Sequence, residues 1–521
     1  MHVKKCGHWV VLNVNNCMSW FNCQIKFNAK GVWNTRALRY ALYINISPEG
    51  ITVQGKMAEW SKAVDSSIIE FFDGIIGFPT YPGFESQFYQ IFLYLKCRNL
   101  RSFFLLNQIP REKPLCTWLW YLYQVAVTRS ALLHLSVGTM AEAERHIVIV
   151  GGGIIGISIA YYTSLRSDCP KVTVLESSKD LAPGASGKAG GFLALDWHGT
   201  STASLASLSY ELHHELAKKE NGAELWGYRE VETHQLSLDT SRKARSRPKI
   251  DWLNQQVFIS SSPIGGGGST AQVTPGELTQ FLANKAKEAG VEIRLQTKAI
   301  GLDLNESSRV KGVKIQVNGE EQVLPATDVV VAAGPWTGKL LQTWFTPSTM
   351  PAYLRSASMI EGSRAHSIKI QAAKGHQLSP DCFFSEMRYG NSAGAPEFYI
   401  RPKGVAYVSG GSDDVPIPEL ADDVTFDPKR TAELQIQAGV LSPEYLDVKN
   451  DAELLAEQAC YLPISPRTAA PILGGSAENG IYVAAGHAVW GISNSLGTGK
   501  VMSELLLDGK SISADIHHLQ P

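Results

Sequence analysis

Three glycines stand at a spacing that suits the binding of a dinucleotide. Gly151, Gly153 and Gly156 occupy the glycine positions of a G-x-G-x-x-G sequence that directly follows an apolar run. The first glycine allows a tight turn, the second lets backbone N–H groups approach a pyrophosphate, and the third lets a helix pack against a strand. Glu176, about 20 residues further along, is suited to accept hydrogen bonds from ribose hydroxyls. These residues predict a dinucleotide site.

The elements that would position these groups surround the glycines in the sequence. Residues 146–150 are a β-branched run that predicts a buried parallel strand, residues 157–165 predict a helix, and residues 171–176 predict a second strand ending on the acid. The helix N-terminus adds unpaired N–H donors for phosphate groups. A plain glycine-rich turn would not need this complete β-α-β unit. The acid at 176 disfavours NADP, but the motif does not distinguish FAD from NAD.

Further glycine-rich segments indicate a second portion of cofactor. Residues 185–192 form a small polar loop, residues 327–336 and 480–487 each predict a buried strand ending in a glycine turn, and residues 496–500 open the last helix. This order of segments over residues 140–521 resembles the FAD-dependent D-amino-acid-oxidase superfamily, which includes glycine, sarcosine and D-amino-acid oxidases. It is similar in particular to fungal proteins described only as FAD-dependent oxidoreductases. The resemblance implies FAD as the cofactor. The expected cofactor contacts are Gly151, Gly153, Ile154, Ile155, Gly156, Glu176, Ser177, Ser186, Gly190, Gly191, Gly334, Trp336, Gly486, Trp490, Gly491, Thr498 and Gly499.

The same resemblance implies the fold class and the domain organisation. We expect an α/β protein with a Rossmann-like FAD-binding domain built from separated segments, and an α+β substrate domain whose mixed sheet covers the flavin ring. The FAD-binding segments are expected at about 140–204, 271–343 and 453–521, and the substrate-side segments at about 205–270 and 344–452. Residues 1–139 lack sustained helical or strand periodicity and predict a poorly ordered extension without a stable fold. The alternative is a small interaction module.

Family members take hydride from the carbon of a C–N bond onto flavin N5, and many bind a substrate carboxylate with an arginine near the C-terminus. Here Pro463 stands at the corresponding place and Arg467 lies four residues later, which puts an amino-acid substrate in doubt, because recognition of a carboxylate by a guanidinium depends on position. Arg401, in a predicted strand beside Tyr399, is the next candidate; the alternative is a solvated or ion-paired arginine. With His487, these residues form the expected catalytic set, although His487 could equally fill the core.

Cys460 raises the question of a covalent cofactor. In the sarcosine-oxidase branch, a cysteine in a similar context before the last flavin strand holds FAD through a thioether. That chemistry requires a thiolate in an electropositive, partly exposed site. The alternative is a buried structural cysteine, because free cysteine is among the most buried residue types.

Composition narrows the remaining classes of function. The 521 residues carry a formal net charge of -1, which argues against nucleic acid as a partner. Eight cysteines without a C-x-x-C pair indicate a reducing compartment, so we expect a cytoplasmic protein, with a peripheral position on an intracellular membrane as the variant. The apolar run at 115–127 is too short for an integral membrane segment.

The expected partner is a small amine or amino-acid-like substrate, and no residue pattern has the spacing of a metal site. The alternative to an enzyme is an FAD-bound protein whose cofactor is structural and which serves as an interaction or trafficking scaffold. A protein partner fits that alternative.

Overall fold

The computed structural model describes residues 145–521, except residues 245, 374, 375 and 468, together with the backbone of six strands nearer the N-terminus. The chain divides into two compact units, Met1–Thr139 and Met140–Pro521. In the first unit, four strands form an antiparallel sheet and two form a hairpin: Val10–Val14, Cys23–Trp33, Arg36–Ser47 and Gly50–Gly55, then Ile91–Cys97 and Leu100–Leu106. Apart from these six strands, residues 1–139 lie outside the described residues, and so does the prediction that they lack a stable fold.

A six-stranded sheet, called here the parallel sheet, forms the centre of the second unit. In spatial order its strands are Glu292–Arg294, Lys171–Leu175, His146–Val150, Asp328–Val331, Ile481–Ala485 and Ile472–Ser476. The first five are parallel and the last is antiparallel to its neighbour. Every residue of His146–Val150 is buried, as expected for a strand covered on both faces. The predicted strand–helix–strand unit is confirmed.

Alternate side chains of the parallel sheet pack into two hydrophobic clusters, because successive side chains of a strand point to opposite faces. Ile147 and Ile149 pack with the helices on one face, and Val148 and Val150 pack with elements on the other face. The helices of the first face are Ile154–Ser164, Ala203–Lys219, Gly222–Trp226, Pro275–Glu288 and Ser495–Asp508. The second face is covered by the strands Thr297–Leu304, Val310–Val317 and Glu320–Pro325 and by the helix Thr337–Trp344.

An eight-stranded mixed sheet, called here the mixed sheet, forms the other layer of this unit. In spatial order its strands are Phe258–Gly265, Glu232–Asp239, Asp381–Tyr389, Glu397–Arg401, Val405–Asp413, Glu361–Gln371 and Glu453–Ile464, with Ser392–Gly394 added beside Asp381–Tyr389. Only the pair Glu232–Asp239 and Asp381–Tyr389 is parallel. Its outer face packs on the helix Pro428–Leu441 through residues such as Phe398 and Val408. The expected mixed sheet is confirmed.

Two segments lie elsewhere than their sequence assignment suggested. The strand Glu453–Ile464, expected among the FAD-binding segments, pairs along most of its length with Glu361–Gln371 and so belongs to the mixed sheet. The helix Ala203–Lys219, expected on the substrate side, buries Leu205 and Leu216 in the same cluster as the parallel sheet. In both cases long-range pairing or packing decides the assignment, and order along the chain does not reveal it.

Short elements complete the unit. The strands Phe192–Ala194, Arg229–Glu230 and Thr270–Gln272 form a small sheet. The remaining helical turns are Ala185–Lys188, Gly334–Trp336, Ala352–Leu354, Ala357–Met359, Pro402–Gly404, Ala421–Asp423, Ala488–Trp490 and His517–Leu519. Among the described residues, none of the helices has the length and apolar character that crossing a membrane requires.

Candidate active site

A cavity of about 600 Å³ extends along the carboxyl ends of the parallel strands and under the mixed sheet. In open α/β sheets, ligands bind at these strand ends. The cavity is lined by the last residues of three parallel strands, Val150, Leu175 and Ala485, and by Ala332, which follows a fourth. The expected site residues that line it are Gly151, Gly153, Ile154, Ile155, Glu176, Ser177, Ser186, Gly190, Gly191, Gly334, Trp336, Tyr399, His487, Trp490 and Gly491. Those outside the lining are Gly156, Arg401, Gly486, Thr498 and Gly499.

The glycine-rich turn is held close to neighbouring backbone. Gly151 has φ +119°, and a Cβ there would lie 2.4 Å from the carbonyl oxygen of Ala332. A Cβ at Gly156 would lie 2.0 Å from the carbonyl oxygen of Gly151. A Cβ at Gly153 would meet only the Ser186 side chain, with Oγ at 3.0 Å. The first and third glycines therefore allow backbone packing, whereas Gly153 leaves space in the cavity.

Two side chains organise the start of the first helix. The Ser186 Oγ accepts a hydrogen bond from the Ile154 N–H at 2.9 Å. The Glu176 carboxylate accepts hydrogen bonds from the N–H of Gly152 at 2.8 Å and of Ser178 at 2.9 Å. Glu176 therefore fixes the glycine-rich turn as well as presenting its carboxylate to the cavity.

The loop at residues 185–192 is attached to the inner face of the mixed sheet. The Arg401 Nη2 donates hydrogen bonds to the carbonyls of Ala189 at 2.8 Å and Gly190 at 3.2 Å, and the Tyr407 hydroxyl donates to the Lys188 carbonyl at 2.8 Å. A Cβ at Gly190 would lie 2.5 Å from the Tyr399 ring. Arg401 is buried, and burial lowers the pKa of its guanidinium. The geometry gives Arg401 a positioning role behind the cavity wall, where it holds the loop.

The last helix supports the opposite wall. The His487 Nε2 lies 3.0 Å from the Thr498 Oγ1, and burial lowers the pKa of His487 to about 3, so the imidazole is neutral at physiological pH. A Cβ at Gly499 would lie 2.6 Å from the backbone of Ser158, so this glycine permits close contact between the last and the first helix. Thr498 therefore affects the cavity by holding His487, and Gly499 affects it by letting the last helix pack on the first.

Sequence reasoning missed Glu397, which also lines the cavity. Its carboxylate accepts a hydrogen bond from the Tyr399 hydroxyl at 2.6 Å, and burial raises the pKa of Glu397. The alternation of a strand places residues 397 and 399 on one face. Because Tyr399 is one of the expected catalytic residues, this alternation is a sequence signal that points to Glu397 as well.

A comparison with protein families shows which family the chain belongs to. The family model described as DAO, FAD dependent oxidoreductase, matches residues 146–505. The chain belongs to this family.

Two relatives match this DAO chain over most of their own lengths. It is 37% identical over 397 residues to C1F5.03c of Schizosaccharomyces pombe, covering 73% of this chain and 98% of the relative. It is 28% identical over 520 residues to TDA3 of Saccharomyces cerevisiae, covering 73% of this chain and 95% of the relative. Both relatives carry names that give the class oxidoreductase and no substrate.

Solved structures show the same fold. Glycine oxidase from Bacillus cereus superposes with a TM-score of 0.55 at 21% identity, covering 70% of this chain and 98% of that one. L-proline dehydrogenase from P. horikoshii superposes with a TM-score of 0.57 at 19% identity, covering 73% of this chain and 97% of that one. At these identities the likeness concerns the fold.

The cofactor of this DAO protein is FAD, and the residues present fit it. The cavity surface at Gly153, the helix N-terminus behind it and the carboxylate of Glu176 suit a pyrophosphate and a ribose. The same cavity continues to the segment His487–Ile492, where Ala488, Val489 and Ile492 are among the lining residues. Among the described residues, no group of three His, Cys, Asp or Glu side chains could hold a metal ion.

Cys460 lines the cavity but is only 6% exposed. Burial raises the pKa of its thiol to about 11, and the nearby Lys188 only partly opposes this shift. The thiol is therefore protonated at neutral pH, whereas attachment of a cofactor requires a thiolate. Of the two alternatives for Cys460, this environment matches the buried structural cysteine.

Proposed function

We propose that this FAD-dependent oxidoreductase oxidises the C–N bond of a small amine or amino-acid-like molecule. The bound FAD supplies the hydride acceptor, its N5 atom. The observation that carries the proposal is that one cavity joins the dinucleotide turn to a chamber between the segment His487–Ile492 and the inner face of the mixed sheet. That chamber provides a place for a substrate beside the cofactor.

The residues of the chain perform the remaining tasks. The mixed sheet covers the chamber, and Tyr399 and Tyr407 are almost fully buried in that wall. His487 is neutral and held by Thr498, so it can orient a ligand without adding charge. Glu397 is available as a hydrogen-bond acceptor for a substrate N–H.

Structural neighbours support a C–N substrate. Their names include glycine oxidase, L-amino acid deaminase and iminodiacetate oxidase. Another neighbour is an L-alpha-glycerophosphate oxidase, with a TM-score of 0.51, and glycerol 3-phosphate is therefore the natural control for C–O chemistry.

Anaerobic titration of the purified holoprotein tests the proposal. Primary, secondary and tertiary amines, amino acids and glycerol 3-phosphate are added separately while flavin absorption near 450 nm is followed. Bleaching by at least one amine or amino acid, and none by glycerol 3-phosphate, is the expected result. Bleaching by glycerol 3-phosphate alone would refute C–N oxidation.

The second candidate is a structural FAD in an interaction scaffold. It is favoured by one observation: no arginine lines the cavity in the part of the chain that the structure describes, so the family's carboxylate-binding group is not found there. The same titration separates the candidates. A scaffold keeps its flavin oxidised with every compound, although dithionite still reduces it.

A cytoplasmic location remains part of the proposal. Its support is the state of the cysteines in the described residues, since Cys169, Cys382 and Cys460 are free thiols, which is typical of a reducing compartment. Fractionation of cells expressing the full chain tests this, and recovery with a secretory or membrane fraction would contradict it.

A further inference from the structure

The chamber under the mixed sheet is walled by aromatic rings. Phe192, Trp197, Phe384, Tyr399 and Tyr407 all line the cavity and are called here the aromatic wall. The centroid of Phe192 lies 5.0 Å from that of Trp197, 5.4 Å from that of Phe384 and 5.9 Å from that of Tyr399. Tyr399 continues the wall to Tyr407 at 5.8 Å. These rings form one connected group.

Glu397 stands inside this group. In the strand register it is the cross-strand partner of Phe384 on one side and of Ser409 on the other, and all three residues line the cavity. Directly opposed residues of neighbouring strands have side chains on the same face of the sheet. The Tyr399 hydroxyl donates to the Glu397 carboxylate at 2.6 Å and fixes its position. The aromatic wall therefore carries one carboxylate at its centre.

The lysine side chains that line the cavity are already ion-paired. No described lining residue is an arginine, and the two lining lysines, Lys298 and Lys339, both pair with Glu419. These pairs lower the pKa of Glu419 to about 2, so its carboxylate is charged and both lysines are ion-paired to it. The lining histidines His366 and His487 have pKa values lowered by burial. The described lining therefore holds no guanidinium and no ammonium without an ion-pair partner for a substrate carboxylate.

We propose that the substrate is an alkylated amine without a carboxylate on the reacting carbon, and that Glu397 binds its protonated nitrogen against the aromatic wall. The nitrogen passes its proton to the Glu397 carboxylate before hydride leaves the adjacent carbon, so that the amine becomes an iminium ion. A cation over aromatic faces is attracted by the ring quadrupoles, most strongly where water is excluded. A carboxylate adds the opposite charge that a buried cation requires, and the bound cation in turn opposes the burial that raises the pKa of Glu397. This inference rests on the proposed function and narrows its substrate class.

Binding of probes that cannot be oxidised at a C–N bond tests the inference without turnover. Tetramethylammonium is the cationic probe, and pivalate is an anionic probe of similar size. Each is titrated into the FAD-loaded protein while the visible flavin spectrum and the heat of binding are recorded. The expected result is saturable binding of tetramethylammonium, at least about tenfold tighter than any binding of pivalate. Equal binding of the two, or tighter binding of pivalate, overturns the inference.

Variants assign the effect to the residues. Glu397→Gln keeps the shape of the side chain, and should weaken tetramethylammonium binding about tenfold or more while FAD content is unchanged. Glu386→Gln is the matched control, because Glu386 is an exposed residue on the neighbouring strand and lies outside the cavity lining. Unchanged tetramethylammonium affinity in a folded, FAD-loaded Glu397→Gln protein overturns the inference. The wild-type comparison of probes decides the question if that variant does not fold.

The two proposals fail in different ways. If tetramethylammonium binds as expected but no amine bleaches the flavin, C–N oxidation fails and the cation site stands. If amino acids bleach the flavin but tetramethylammonium does not bind, C–N oxidation stands and the cation site fails.

Discussion

Replacing Gly153 by alanine should separate cofactor binding from folding. Gly153 lines the cavity, and an added Cβ would meet only the Ser186 Oγ at 3.0 Å. The Ser186 side chain must then move by a few tenths of an ångström, and at most its hydrogen bond with the Ile154 N–H is lost. Loss of one such bond costs about 0.5–1.5 kcal/mol. The FAD-free protein should therefore stay folded.

The effect of Gly153→Ala on FAD affinity should be larger than its effect on the stability of the FAD-free protein. The new methyl group occupies space beside the glycine-rich turn that the backbone needs in order to approach a pyrophosphate. We expect the Kd for FAD to rise about 10- to 100-fold, which corresponds to about 1.4–2.7 kcal/mol. By linkage, the stability of the FAD-saturated protein falls further than that of the FAD-free protein, by up to the same amount.

Two other glycines provide the comparison. Gly156→Ala places a Cβ 2.0 Å from the Gly151 carbonyl oxygen, so it should destabilise the FAD-free protein by about 1–3 kcal/mol through overpacking. Gly276→Ala is the control, because its Cβ would lie no closer than 3.7 Å to the nearest atom. It should change neither FAD affinity nor stability appreciably.

The assay is a titration of FAD-free protein with FAD, followed by flavin fluorescence, together with urea unfolding in the absence and presence of excess FAD. A wild-type Kd for FAD in Gly153→Ala would refute the assignment of the turn to the pyrophosphate. A loss of stability in FAD-free Gly153→Ala as large as in Gly156→Ala would refute the separation of the two roles.

Three further predictions concern the thiol, the buried histidine and the N-terminal unit. Acid precipitation should leave the flavin in the supernatant, because the thiol of Cys460 is protonated; colour in the pellet that is lost in Cys460→Ala would contradict this. The pKa of His487 falls from 6.5 to about 3 on folding, so the unfolded chain binds the extra proton between these values and stability should fall as the pH is lowered from about 6.5 towards 3. His487→Gln should flatten this dependence in thermal unfolding, and an unchanged slope would count against it. Protein beginning at Met140 should keep its flavin and its thermal stability, since the described cavity-lining residues all lie after that position, and a large loss of either would disprove this.

Local patterns in the sequence are sufficient for much of the cofactor site. The β-branched strand, the glycine spacing and the acid at Glu176 are neighbours within one β-α-β unit, and each acts on a group close to it in the chain. The turn geometry follows from these residue types, since only glycine accepts φ +119° and a backbone oxygen at 2.4 Å. Such features can be predicted because the contacts that require them are local.

The substrate side depends on contacts that the sequence does not display. Arg401 was expected at the substrate, but its guanidinium binds two carbonyls of a loop more than 200 residues earlier in the chain. Strand alternation places Glu397 on the same face as Tyr399, but its position beside Phe384 comes from cross-strand pairing, which the sequence does not display. Gly499 was expected at the cofactor, but its role is the contact with the first helix. Each outcome depends on which strands and helices become neighbours.

The order of strands in the parallel sheet has a consequence for how a newly made chain matures. Ile147 lies in the strand just before the glycine-rich turn, yet this strand pairs with Asp328–Val331, which in turn pairs with Ile481–Ala485 near the end of the chain. The last helix, which packs on the first, is synthesised later still. The strand His146–Val150 can pair with Lys171–Leu175 soon after synthesis, but its other edge waits for residues 328–331, and such non-local pairing is slow and exposed to aggregation. We expect this apolar edge to stay exposed during that interval, and FAD to be captured only after residues 481–492 have been synthesised.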